Sequence, residues 1–184
     1  TSNSDGDTGD EVSQLSAAAT FAEWKTININ ASVSALSTSA DITASEATAF
    51  NITGTKAVTL VNVIGAAAGS TVDASTLSGI LTIDLDGTQN IAETVKSGSG
   101  ADIFTVSAAS YSGNAFTIES GSAADTVTVT AVNDLVFNGG SGVDTLALDG
   151  AGLDFSNSNI TLTAVEKIDI DGTVTVAASL LDTK

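Results

Sequence analysis

One turn-plus-strand unit occurs three times in this chain, and it restricts the fold more than any other feature. Ser97-Gly98-Ser99-Gly100-Ala101-Asp102-Ile103-Phe104 returns as Ser120-Gly121-Ser122-Ala123-Ala124-Asp125-Thr126-Val127. It returns again as Gly139-Gly140-Ser141-Gly142-Val143-Asp144-Thr145-Leu146. The acids lie 23 and then 19 residues apart. Two short strands with their turns occupy about that length, so each repeat is the size of one coil of a parallel β-solenoid. Stacked coils line up like residues in ladders and bring Asp102, Asp125 and Asp144 to one edge. Carboxylates one coil apart repel unless positive charge sits between them.

The rest of the chain alternates apolar and polar residues in short runs. Examples are Thr26-Ile27-Asn28-Ile29-Asn30, Phe50-Asn51-Ile52-Thr53, Leu81-Thr82-Ile83-Asp84-Leu85 and Thr126-Val127-Thr128-Val129-Thr130. Period-two alternation in β-branched residues predicts half-buried strands, and Gly, Ser, Asp and Asn punctuate them. The spacing leaves no room for crossover helices, which excludes a doubly wound α/β sheet. The expected fold is all-β, a parallel β-solenoid of the β-roll or β-helix kind with Gly/Asp-rich turns. The alternative is an antiparallel β-sandwich. On this reading Ile103, Val127, Leu135, Leu146 and Ile168 face inward. One helix is expected, from Asp10 to Trp24, with Asp10 as N-cap and Val12, Leu15, Ala19 and Ala22 on one face.

Charge and missing residue types narrow the function. The 184 residues hold 22 acids against 5 bases, a net charge of −17. Such a surface repels nucleic acid and anionic membranes and attracts cations. Mean hydropathy is +0.30, too high for a disordered acidic tail. There is no Cys and no His, so no disulfide framework, no thiolate or imidazole metal site and no Ser-His-Asp triad. No apolar run is long enough for a transmembrane helix. The start at Thr1 reads as a mature or cut piece of a larger secreted protein.

A longer match supports tandem organisation. Phe21-Ala22-Glu23-Trp24-Lys25-Thr26-Ile27-Asn28-Ile29-Asn30 aligns without a gap on Leu162-Thr163-Ala164-Val165-Glu166-Lys167-Ile168-Asp169-Ile170-Asp171. The expected division is an incoming Gly/Asp turn and linker over 1–24, a solenoid module over 25–164, and the start of a following module over 165–184.

The turn around Gly139–Leu148 resembles the Gly/Asp-rich nonapeptide of RTX proteins. The stretch around Val165 to Ile170, a few strands after such a turn, resembles the linking segments of bacterial surface-layer (S-layer) proteins secreted by the type I route, and is similar to large RTX adhesins too. That resemblance implies Ca²⁺, held by the Asp side chain and the carbonyls of the glycine turn and shared between coils. Carried over by position, the ligands are Asp144 with Gly140 and Gly142, Asp102 with Gly98 and Gly100, and Asp125 with Gly121. In the last of these Ala123 replaces the second glycine. Asp7 and Asp10 stand in an earlier, out-of-step copy. Ca²⁺ takes about 6–8 oxygens, and glycine lets a turn aim its carbonyls at an ion. An Asp that only hydrogen-bonds neighbouring amides, beside a Gly at positive φ, would leave the same trace.

Other features are weaker. Asp169 and Asp171 share a strand face as a glycosidase pair would, but no aromatic platform accompanies them, and Trp24 and Tyr111 are expected in the core. A β-helix lyase would want Arg beside its acids, and Arg is absent. Asn30, Asn51 and Asn159 open N-x-[ST] sequons, and Thr126, Thr128 and Thr130 form one outward row. The expectation is therefore no enzyme. It is a Ca²⁺-stabilised, self-assembling segment of an S-layer lattice, extracellular on the bacterial surface, or else a spacer module of an RTX adhesin. Its partners are other copies or modules of itself and cell-surface polysaccharide.

Overall fold

The computed structural model describes residues 13–15, 19–21, 23–39, 42–44, 46–61, 63–65, 70–85, 94–107, 116–131 and 134–181. It is a parallel β-solenoid. The chain passes eight times through one sheet, in the order Ser13–Leu15, Leu36–Thr38, Val58–Leu60, Leu81–Leu85, Ile103–Val106, Thr126–Val129, Thr145–Asp149 and Lys167–Asp171. Between passes it runs through a second, seven-stranded sheet that begins at Thr26–Ala31 and ends at Ile160–Thr163. Every pairing between these strands is parallel, which excludes the antiparallel sandwich. A third flank carries Ala19–Thr20, Ile42–Ala44 and Val63–Gly65 at one end and Leu153–Phe155 with Val174–Val176 at the other.

Period-two patterning builds the core. In the eight-stranded sheet Leu60, Ile83, Phe104, Val127 and Leu146 stack in register, all 0–1% exposed. In the second sheet Phe50, Val72, Val95, Ile118 and Phe137 do the same. Burying a side chain of this size contributes about 1.5–3 kcal/mol, and each coil adds one to each of these two columns. The opposite parity faces water. On the second sheet Asn28, Asn51, Asp73, Lys96, Glu119 and Asn138 share a column. There Asn51 Nδ2 donates to Asn28 Oδ1 at 2.9 Å, and Lys96 pairs with Glu119 at 3.0 Å.

Several expectations change. The span expected as a helix carries strands Ser13–Leu15 and Ala19–Thr20; pairing with the next coil overrides weak helix propensity. Among the described residues the helix is Ala178–Leu181, which buries Leu180. Val127, Leu135 and Leu146 face inward, but Ile103 points out and is 45% exposed. Asp102 and Phe104 take the inward parity on either side of it. Ile168 is half-buried. Trp24 is 63% exposed rather than in the core, and Tyr111 lies outside the described residues. The stack is unbroken at residue 164, because Lys167–Asp171 pairs with Thr145–Asp149 along its whole length. It also extends before residue 25, through Ser13–Leu15. The aligned decapeptides lead into strands of different sheets, Thr26–Ala31 in the second and Lys167–Asp171 in the first.

Candidate functional site: a buried carboxylate ladder

The three repeated acids stand one residue before their strands, at the corner where each turn enters the eight-stranded sheet. The pairings Ile103 with Thr126 and Thr126 with Thr145 bring them into one row, one per coil. They are not on a wet edge. Asp102, Asp125 and Asp144 are 1%, 0% and 0% exposed.

Each carboxylate reaches back along the stack and accepts a backbone N–H of the coil before it. Leu81 N–H donates to Asp102 Oδ1 at 2.6 Å, Asp102 N–H to Asp125 Oδ1 at 2.7 Å, and Asp125 N–H to Asp144 Oδ1 at 2.8 Å. Asp144 N–H in turn donates to Glu166 Oε2 at 2.9 Å. The same column begins at Ser13 and is apolar in the next three coils, where Leu36, Val58 and Leu81 occupy it. A hydroxyl ladder runs beside the acids in the opposite sense. Ser97 Oγ donates to the Ser120 carbonyl at 2.7 Å, and Ser120 Oγ to the Gly139 carbonyl at 2.9 Å.

The glycines are explained by turn stacking directly on turn. Gly98, Gly121 and Gly140 form one column, and Gly100, Ala123 and Gly142 another. A Cβ on Gly140 would stand 2.1 Å from the Gly121 carbonyl oxygen, and one on Gly142 1.7 Å from that of Ala123. Gly140 and Gly142 also have φ of +83° and +148°, where an L side chain is strained. Ala123 holds φ of 87° despite its Cβ. The Gly98 and Gly121 carbonyls accept Ser122 N–H and Ser141 N–H, both at 3.0 Å.

The electrostatics follow from this geometry. Burial pushes the Asp102 carboxyl above the usual range, against the pull of the Leu81 N–H, the Ser97 hydroxyl and the Gly98 N–H. Burial likewise pushes Asp125 up to about 6, opposed by the Asp102 N–H and the Ser120 hydroxyl and reinforced by the charges of Asp102 and Asp144. Asp144 is raised by burial, opposed by the Asp125 N–H and reinforced by Glu166. The Ser97 and Ser120 hydroxyls stand near these acids, but the one proton of each goes to a carbonyl. The Oδ2 atoms of Asp102, Asp125 and Asp144 are buried and accept no hydrogen bond.

The row therefore has three spare oxygens, one per coil. That is fewer than a Ca²⁺ shell holds, and the neighbouring Gly98 and Gly121 carbonyls are already hydrogen-bonded. Among the described residues no three acidic side chains converge as a metal cluster. Asp7 and Asp10 lie outside the described residues. Sequence reasoning brought the three Asp together correctly but missed Glu166. Its signal was present: Val165-Glu166-Lys167-Ile168 repeats the pattern of Val143-Asp144-Thr145-Leu146.

The fold and the row define a parallel β-solenoid with an internal carboxylate ladder. The chain matches no protein-family model, no curated protein and no solved structure. Among the described residues no helix is long and apolar enough to cross a membrane.

Proposed function

We propose that this chain is a non-catalytic structural segment of a bacterial surface-layer lattice, extracellular and built for end-to-end contact with more of the same protein. The observation that carries this reading is the state of the two ends of the stack. Several inward columns are buried through their middle and half-exposed where they end among the described residues: Ile27 and Ile29 at one end, Ile160, Leu162 and Ile168 at the other. An apolar groove of about 440 Å³, lined by Phe21, Trp24, Ile27, Ile29, Leu36 and Ile42, lies at the first end. Open strand edges with exposed core residues favour further strand pairing.

The spare oxygens of the buried row call for positive charge. A proton supplies it at low pH. In this reading extracellular Ca²⁺ acts at the acidic flank of Asp149, Asp169 and Asp171, where the strands pair Asp149 with Asp171, because the closed row at Asp102, Asp125 and Asp144 offers too few free oxygens to hold it. Binding only the folded state, it would stabilise the stack by mass action. A rigid spacer of a large adhesin, with affinity for surface polysaccharide, is the second reading. It draws on the unbroken stack, which at about 4.8 Å per strand makes a rod roughly 34 Å long.

The test adds millimolar Ca²⁺ or excess EDTA to the purified protein at neutral pH and follows melting, light scattering and negative-stain images. A melting temperature that rises with Ca²⁺, with ordered arrays that dissolve in EDTA, supports the lattice. A protein that stays monomeric moves the reading to the spacer. Identical melting in both buffers removes Ca²⁺ from it.

A further inference from the structure

Three sequons occur in the chain, and the fold treats them differently. Asn51 is half-buried in mid-strand, and its Nδ2 donates to Asn28 Oδ1 at 2.9 Å. Asn159 is exposed, but Asp134 holds it twice: the backbone N–H donates to Oδ1 at 2.7 Å and Nδ2 to Oδ2 at 3.2 Å. In both, the nitrogen a sugar would join already has a partner.

Asn30 is arranged the other way round. It closes the outward row of strand Thr26–Ala31, where exposure alternates residue by residue, and it and Ser32 are both exposed. Its Oδ1 accepts the Ser32 backbone N–H at 3.0 Å and the Ser32 hydroxyl at 2.5 Å. The asparagine and the hydroxyl residue of Asn30-Ala31-Ser32 are thus already folded onto one another in an Asx turn. Two donors on Oδ1 fix the carboxamide plane, and among the described residues Nδ2 has no hydrogen-bond partner. They also stabilise negative charge on the amide oxygen, which makes a proton on Nδ2 easier to remove. Val33, the next residue, is 84% exposed, so the approach is open.

We propose that Asn30 is an N-glycan acceptor in the folded chain, taking a sugar from a diphosphate-activated donor. In the transfer the Nδ2–C1 bond forms and the bond from C1 to the phosphate oxygen breaks. The Nδ2 proton passes to a base of the transferase, and the diphosphate carrier leaves. The outward parity of Asn30 sends the glycan off the flank of the sheet. Among the described residues that strand pairs on one side only, with Ala49–Gly54, and the site depends on no ion.

The experiment offers the folded 184-residue chain to two enzymes. One is a soluble asparagine glucosyltransferase with UDP-glucose, and the other is a membrane oligosaccharyltransferase with a lipid-linked oligosaccharide. Sites are located by electron-transfer fragmentation, because the Lys-specific peptide from Thr26 to Lys56 contains both Asn30 and Asn51. The expected result is one sugar per chain at Asn30 in at least one arm, kept in Ser32→Thr and lost in Ser32→Ala and Asn30→Gln. Asn51 and Asn159 accept sugar only after denaturation. The arm that reacts identifies the donor class. Folded chain left bare at Asn30 in both arms, while denatured chain is modified, overturns the proposal. So does folded chain modified at Asn51 or Asn159 as fast as at Asn30.

Discussion

Asp125 donates its backbone N–H to Asp144 Oδ1 at 2.8 Å, while its own Oδ1 accepts the N–H of Asp102 at 2.7 Å. One residue is thus donor to the coil after it and acceptor for the coil before it. The repeat is maintained by a bond that runs along the axis of the stack and lies outside the sheet ladders.

Replacing Asp125 with Ala leaves the Asp102 N–H buried and unpaired. The expected loss is about 1–3 kcal/mol, read as a lower urea midpoint at constant slope. Asp125→Asn keeps an acceptor oxygen and should lose less. Equal midpoints for Asp125→Ala and the parent chain would show that the row contributes nothing to folding.

Acid should stabilise this protein before it harms it. The raised carboxyls hold protons in the folded state over a pH range where the unfolded chain has released them. The stability this provides is complete below the unfolded carboxyl range and is lost as pH climbs through about 6 at Asp125. Melting in EDTA should therefore rise as pH falls from 7 toward 5. Three groups with lowered pKa act oppositely and only at lower pH: Glu46 through Lys25, Asp73 through the Ser75 hydroxyl and N–H, and Asp154 through those of Ser156. Asp125→Asn should flatten the rise. A parent melting curve that falls steadily from pH 7 to 5 contradicts the burial of these acids as charged groups.

Turn glycines should divide by what lies above them. Gly142→Ala drives a methyl into the Ala123 carbonyl and should unfold the C-terminal coils or prevent expression. Gly152 also has positive φ, +77°, but a Cβ there meets nothing within 4 Å. Gly152→Ala should cost only about 1–2 kcal/mol of backbone strain. Ala123→Gly relieves a left-handed residue and should stabilise by up to about 1 kcal/mol. Thermal melts of the three variants give the order directly.

Inside and outside can be separated within one turn. Leu146 is fully buried and Val143 is 63% exposed. Leu146→Ala should cost about 2–5 kcal/mol, and Leu146→Asp should unfold part of the stack. Val143→Asp should change stability little. Circular dichroism and limited proteolysis distinguish these outcomes.

The coil repeat was legible because Gly-x-Asp turns and alternating strands recur together, and the Asp102–Asp125–Asp144 register could be read by alignment. The inwardness of those acids was not. A turn Asp looks the same whether it faces water or caps an amide, and only stacking decides between them. Ile103 was misplaced for the same reason: once Asp102 turns in, parity sends Ile103 out and Phe104 in. Trp24 was assigned by residue type to a core that ends before reaching it. Glu166 went unnoticed because its turn lacks the glycines that marked the other three.

The column that is Leu36, Val58 and Leu81 in the early coils and Asp102, Asp125, Asp144 and Glu166 in the later ones has a mechanical consequence. Tension along the axis loads the rungs between coils one after another, so the rod should yield stepwise. The early coils grip one another through sheet bonds, oily contact and a few side-chain ties such as Asn51 to Asn28 and Thr38 to the Val61 N–H, but lack the buried acid row. The later coils carry an added tie at every step. Pulled from both ends, the structure should peel from its N-terminal side and leave the acid-stapled half as the last part to give way.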